Sequence, residues 1–209
     1  DLFNLFNKGP VTPDHVIRIK SEPLIIPNKH LSSSKMISNH IDTYIKKYKN
    51  YFKKYKKNIT NSKIADPLPR IIILEGIGFL SIGLNKKEMQ VSYDIFDAMK
   101  KVIIKANLVS KFKSINNTDI FKMEYWPLER AKLNNQNTKK FNGNVAVITG
   151  GAGKIGSAIA NKFINENIEV ILLDKNFKNL DVNIKKKCLC IACDLTNNSQ
   201  INKALNQIL

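Results

Sequence analysis

The sequence predicts an α/β chain. Its C-terminal part reads as the beginning of a doubly wound parallel sheet, and its N-terminal part as a smaller α+β piece. Three observations carry this reading. From Val145 onward, short apolar runs alternate with helical periodicity in the order strand, helix, strand, connection, strand. A glycine-rich turn joins the first of these strands to its helix. Upstream, long stretches with apolar residues three and four apart are interleaved with short β-branched runs.

Residues 1–30 read as irregular, because Pro10, Pro13, Pro23 and Pro27 forbid a long helix. Within them, His15 to Ile19 reads as a short strand. Ser32, Ser33 and Ser34 supply N-cap candidates. Over Ser34 to Lys57, the residues Ile37, Ile41, Tyr44, Ile45, Tyr48, Phe52 and Tyr55 fall on one helical stripe. The opposite face is lysine from Lys46 to Lys57 and reads as solvated surface. A polar turn region ends at Pro69, and Arg70 to Leu74 is then a buried strand of β-branched residues. Phe79 to Ile82 is a second strand. Asn85 is an N-cap with Glu88 at the capping-box position, opening a helix that runs to about Asn107. Asp119 to Leu133 is helical with an interruption at Pro127, and Trp126 is expected to anchor it to a neighbouring layer.

Residues 134–142 are polar and aperiodic, hence a linker between segments 1–133 and 143–209. Beyond it, Val145 to Ile148 is a strand, Ser157 to Asn165 a helix, and Val170 to Leu173 a strand ending at Asp174. Cys188 to Cys193 is a third strand, and a last helix starts at Ser199.

The 209 residues carry a formal charge of +17, which invites a nucleic-acid reading. The make-up of that charge argues otherwise. It comes from 31 lysines and only three arginines, beside 29 Ile and 26 Asn, a bias of A/T-rich codons spread over the whole chain. Dedicated phosphate readers use arginine forks for bidentate contacts. No nucleic-acid partner is therefore expected, beyond nonspecific attraction at low salt. No run approaches about 18 apolar residues, so no membrane span is expected. Cys188, Cys190 and Cys193 are too few and too clustered for a disulfide framework, which fits a reducing cytoplasm. On a buried strand they read as small hydrophobes rather than metal ligands. His15 reads as a structural histidine bonded to its local turn.

The chemistry concentrates in Thr149-Gly150-Gly151-Ala152-Gly153-Lys154-Ile155-Gly156. Gly150 permits the tight turn after the strand, Gly153 leaves room for a pyrophosphate, and Gly156 lets the helix pack closely on the strand. The helix N-terminus then offers unpaired N–H groups and a positive dipole end. Asp174, 18 positions after Gly156, is placed to accept bonds from both hydroxyls of an adenosine ribose and to repel a 2′-phosphate, favouring NAD over NADP. Asp194 is placed to accept from the adenine amino group, with Leu195 beside the adenine plane. The site is thus Gly150, Gly153, Lys154, Ile155, Gly156, Asp174, Asp194 and Leu195. Strand, glycine turn, helix and acid together make this the dinucleotide fingerprint of a Rossmann domain.

These residues resemble the short-chain dehydrogenase family. Its usual T-G-x-x-x-G-x-G is departed from at Lys154, while the T-G-x-x-G-x-x-G of its extended branch fits TGGAGKIG. Upstream, GPVTPDHVIRIK at 9–20, DPLPRIIILEGIGFLSIG at 66–83 and DIFKMEYWPLERAKL at 119–133 resemble bifunctional class II aldolase/short-chain dehydrogenases of the rhamnulose-1-phosphate aldolase/alcohol dehydrogenase type. The resemblance implies that 1–133 is the end of an aldolase-like region and 143–209 the start of an NAD-binding domain, an internal piece of a longer protein. It implies NAD as cofactor, a small alcohol, aldehyde or sugar phosphate as substrate, and a homo-oligomer. Any zinc would belong to the aldolase domain upstream. His15, His30 and His40 form neither the H-x-H pair nor the His-Gly of that family, so no metal ligand is transferred. The family's catalytic Tyr-x-x-x-Lys has no counterpart either, since no tyrosine follows Tyr125. No catalytic residue is therefore expected, and the piece alone is expected to be inactive. The alternatives are a non-catalytic nucleotide-binding module and a basic nucleic-acid binder. NAD titration separates these classes.

Overall fold

A computed structural model describes residues 5–58, 62–134, 141 and 143–208. The chain divides into two compact units, Asp1–Asn137 and Thr138–Leu209. The linker expected at 134–142 lies almost wholly outside the described residues.

In the first unit, strand β1 (Leu24–Ile26) pairs in parallel with β2 (Ile71–Leu74), and β2 pairs antiparallel with β3 (Gly78–Ser81). The register sets Ile25 opposite Ile73 and Ile72 opposite Leu80. This mixed sheet lies between two long helices, α2 (Ser34–Tyr55) and α3 (Lys86–Val109). Ile71 and Ile73 face α3 and pack on Phe96, Met99 and Ile103. Ile72 points the other way, with Leu24 and Ile26, toward Ile37, Ile41 and Tyr44 of α2. Burial on both faces is why Ile71-Ile72-Ile73-Leu74 is a continuous apolar run rather than an alternating one.

The helix starts follow the capping rules. The Ser33 side chain accepts from the Met36 N–H, and the Asn85 side chain from the Glu88 N–H. Glu88 answers by accepting from the Leu84 N–H at 3.2 Å. Helices α4 (Asn117–Glu124) and α5 (Pro127–Asn134) are separated at the expected proline.

Three local expectations fail. His15 to Ile19 is not a strand: Pro13–His15 is a 3-10 turn continued by helix α1 (Val16–Ile19). Pro13 presets the helical φ, and Val16 and Ile19, three apart, are both buried. The strand of this region is β1, further along. The His15 side chain makes no bond to its turn through Nδ1, which is buried and without a partner. Trp126 is 45% exposed and anchors no layer; the buried anchor is its neighbour Tyr125, stacked on Phe121 and against Phe52.

In the second unit, β4 (Val145–Thr149), β5 (Glu169–Asp174) and β6 (Leu189–Ala192) form a parallel sheet in that order. Helix α6 (Lys154–Asn165) covers one face, where Ala160 packs with Val170 and Leu172. Helix α8 (Asn198–Ile208) covers the other through Ala204, Ile201 and Ile208 against Ile171, Leu173 and Ile191. Helices on both faces of a parallel sheet are the doubly wound arrangement. The connection before β6 holds an unexpected short helix, α7 (Val182–Lys187), capped by Asp181. Alternation along β6 puts Cys188 and Cys190 on the α6 side and Cys193 on the α8 side. Burial pushes the Cys188 thiol up to about 11 and raises Cys190 as well, which disfavours the thiolate at both.

Candidate dinucleotide site

The site grows from the C-terminal ends of the parallel strands. Pairing in register brings Thr149 level with Leu173, and Asp174 level with Ala192. The turn after β4, Asp174 and the loop after β6 therefore share one edge of the sheet. This is where ligands bind in open α/β sheets.

Gly150 holds φ +62°, a left-handed conformation that opens the turn. A Cβ on Gly156 would lie 2.2 Å from the Gly150 carbonyl oxygen, so this glycine lets the helix start fold against the turn itself. The glycine that packs on a strand is Gly151, whose Cβ would meet Leu172 of β5 at 2.7 Å. The fingerprint reading assigned that contact to Gly156. Nothing in the motif's spacing separates the two, because both depend on how the turn lies across β5.

Gly153 is the N-cap of α6, and no side chain caps the helix. The helix begins at Lys154, three residues earlier than its apolar periodicity suggests. Lys154 and Ile155 are both exposed in its first turn, with Ile155 at 79%. The first-turn N–H groups thus have no side-chain cap, and the positive end of the helix faces the strand ends.

Asp174 ties this edge together. Its Oδ2 accepts from the Ala152 N–H at 2.9 Å, inside the glycine turn, and its Oδ1 accepts from the Lys175 N–H at 2.7 Å. Each carboxylate oxygen keeps a lone pair for a further donor. Asp194 is equally engaged. Its Oδ1 accepts from the N–H and hydroxyl of Thr196 at 2.9 and 2.7 Å, and the Lys175 ammonium lies 3.0 Å from Oδ2. The Thr196 bonds, with Lys175 beside them, hold the Asp194 carboxyl down at about 2. Leu195 is 43% exposed next to it. The structure therefore brings every expected residue to one sheet edge. It adds Gly151 as a packing glycine and Lys175, whose backbone N–H meets Asp174 and whose ammonium meets Asp194.

The residues present fit a dinucleotide. A turn whose second and last glycines cannot carry a side chain, an uncapped helix start and a carboxylate at the end of β5 are the parts such a ligand needs. Among the described residues, no group of three or more His, Cys, Asp or Glu side chains is placed to hold a metal ion. No helix among them is long and apolar enough to cross a membrane.

Comparison with known proteins agrees with both halves of this architecture. The family described as aldolase class II, second domain, matches residues 1–133, and the family described as short chain dehydrogenase matches residues 144–209. YuxG of Bacillus subtilis (strain 168), described as an uncharacterized oxidoreductase, is 28% identical over 213 residues. That alignment covers 95% of this chain and 31% of the relative, so the chain spans about a third of the relative's length. No solved structure matches. Residues 1–133 carry the aldolase match and residues 144–209, with the parallel sheet, carry the short chain dehydrogenase match: the chain belongs to the aldolase class II, second-domain family.

Proposed function

We propose that this chain is the central part of an NAD-dependent oxidoreductase fused to a class II sugar-phosphate aldolase, and that its role is to bind the dinucleotide. The observation that carries the reading is Asp174, whose carboxylate closes the glycine turn through Ala152 while keeping a lone pair on each oxygen. The turn and the first N–H groups of α6, at Lys154, Ile155 and Gly156, would hold the pyrophosphate. Asp174 would take the ribose hydroxyls, and Asp194 with Leu195 the adenine. When bound, the nicotinamide would accept or deliver hydride to a small alcohol or aldehyde.

This chain's own residues orient the cofactor but move no proton, since no tyrosine follows Tyr125. The 209 residues alone should therefore show no dehydrogenase turnover. The assembly proposed is a homo-oligomer in the cytoplasm.

Calorimetric titration of the chain with NAD and NADP tests the site. Saturable NAD binding is expected, with Asp174→Ala weakening it about ten-fold or more. The same substitution should narrow the NAD to NADP ratio, because the repulsion of a 2′-phosphate goes with the carboxylate. Equal loss for both dinucleotides would show that Asp174 acts only through the turn.

A further inference from the structure

Lys175 touches both acids of the sheet edge. Its N–H donates to Asp174 Oδ1 at 2.7 Å, and its ammonium lies 3.0 Å from Asp194 Oδ2. The side chain thus reaches from the end of β5 to the loop after β6. An exposed ion pair contributes little to stability, and Lys175 is 66% exposed. What the pair fixes is the use of the Asp194 acceptor atoms.

A carboxylate oxygen has two lone pairs. Those of Asp194 Oδ1 are both taken, by the N–H and the hydroxyl of Thr196 at 2.9 and 2.7 Å. Among the described residues, Oδ2 meets Lys175 alone and keeps a lone pair. The Asp194 N–H is committed as well, to Gln200 Oε1 at 2.8 Å, so the carboxylate cannot turn over without breaking these bonds. A donor arriving at Asp194 must therefore use Oδ2, and it arrives beside an ammonium. That ammonium carries three donors, of which Asp194 takes one. Oδ2 and the Lys175 nitrogen thus present an acceptor and a donor side by side, 3.0 Å apart. Leu195, 43% exposed, adds an apolar surface next to them.

Adenine carries the complementary pair. Its amino group is a donor, and the ring nitrogen beside it is an acceptor. Hypoxanthine has an oxygen in place of the amino group, which sets an acceptor against the carboxylate. We propose that Lys175 is a base-reading residue of the dinucleotide site, selecting adenine over hypoxanthine together with Asp194 Oδ2. This rests on the dinucleotide reading of the same edge. Asp194 takes the amino group, and Lys175 donates to the neighbouring ring nitrogen. Neither residue can do both, since a carboxylate has no donor and an ammonium no acceptor.

The test is calorimetric titration with NAD and with nicotinamide hypoxanthine dinucleotide, on the 209-residue parent, Lys175→Met and Lys175→Arg. The parent should bind NAD about ten-fold or more tighter than the hypoxanthine analogue. Lys175→Met should narrow that ratio to about three-fold or less by weakening NAD, while Lys175→Arg, which keeps the donor, should retain it. Lys175→Met also removes a positive charge near two phosphates. That loss weakens both dinucleotides alike and leaves their ratio unchanged, as does any general damage to the site. The ratio is therefore the readout that belongs to base reading. If the parent binds NAD but holds the analogue equally well, or if Lys175→Met weakens both in proportion, the inference is wrong and the dinucleotide reading stands. If neither dinucleotide binds saturably, the dinucleotide reading falls and this inference falls with it.

Discussion

At the scale of single residues, the glycine turn separates two roles that a motif merges. Gly156 has a carbonyl oxygen where a Cβ would go, whereas a Cβ on Gly153 would meet only that same oxygen at 3.3 Å. Gly156→Ala should therefore cost about 1–3 kcal/mol in urea unfolding. Gly153→Ala should cost less stability than Gly156→Ala while weakening NAD binding, since its Cβ would stand at the phosphate approach. Asp194 gives a pH signature. Its carboxyl sits near 2 rather than the usual 3.8, so it supports folding above about pH 4 and loses that support as pH falls toward 2. In Asp194→Asn the acid limb of the stability curve should be flatter over that window, as measured by urea midpoints. Both acids were legible in the sequence because each follows a short apolar strand. Lys20 was not, because it is one of 31 lysines and its burial arises from Tyr48 and Glu124, distant in the chain.

At the scale of elements, legibility follows length. Helices α2 and α3 run 22 and 24 residues, long enough for their stripes and caps to be read directly. Asn85→Ala should cost about 1 kcal/mol, seen as a lower urea midpoint without a changed slope, since its side chain satisfies the Glu88 N–H. The four residues of α1 carry no such signal. In so short a run, apolar positions suit a strand or a turn of helix equally. The outcome depends on Pro13 and on which side chains the neighbouring helices bury. The same limit hid β1 and α7, of three and six residues. The Trp126 expectation failed for a related reason. Periodicity places a residue near a helix junction but does not say which of Tyr125 and Trp126 turns inward.

At the scale of the whole molecule, the charge of +17 is dispersed over solvated faces, among them the lysines of α2. Retention on duplex DNA at about 20 mM salt is expected without sequence preference, and it should vanish near 300 mM, as measured by filter binding. Binding that survived at the higher salt would return the nucleic-acid alternative. The two compact units differ in pattern: mixed strands between long helices in the first, a repeating strand–helix order in the second.

Strand β4 is bonded to β5 on one side only, and among the described residues no strand lies on its other side. Val145 is 61% exposed and Val147 46%. Such a border is an unfinished seam: a row of donors and acceptors at strand spacing, flanked by apolar side chains, with nothing to choose between one incoming strand and another. Handled in isolation, the chain carries a template for its own aggregation. The order in which a seam of this kind is closed during folding then matters as much as the closure itself, because a neighbouring copy competes with whatever strand reaches it first.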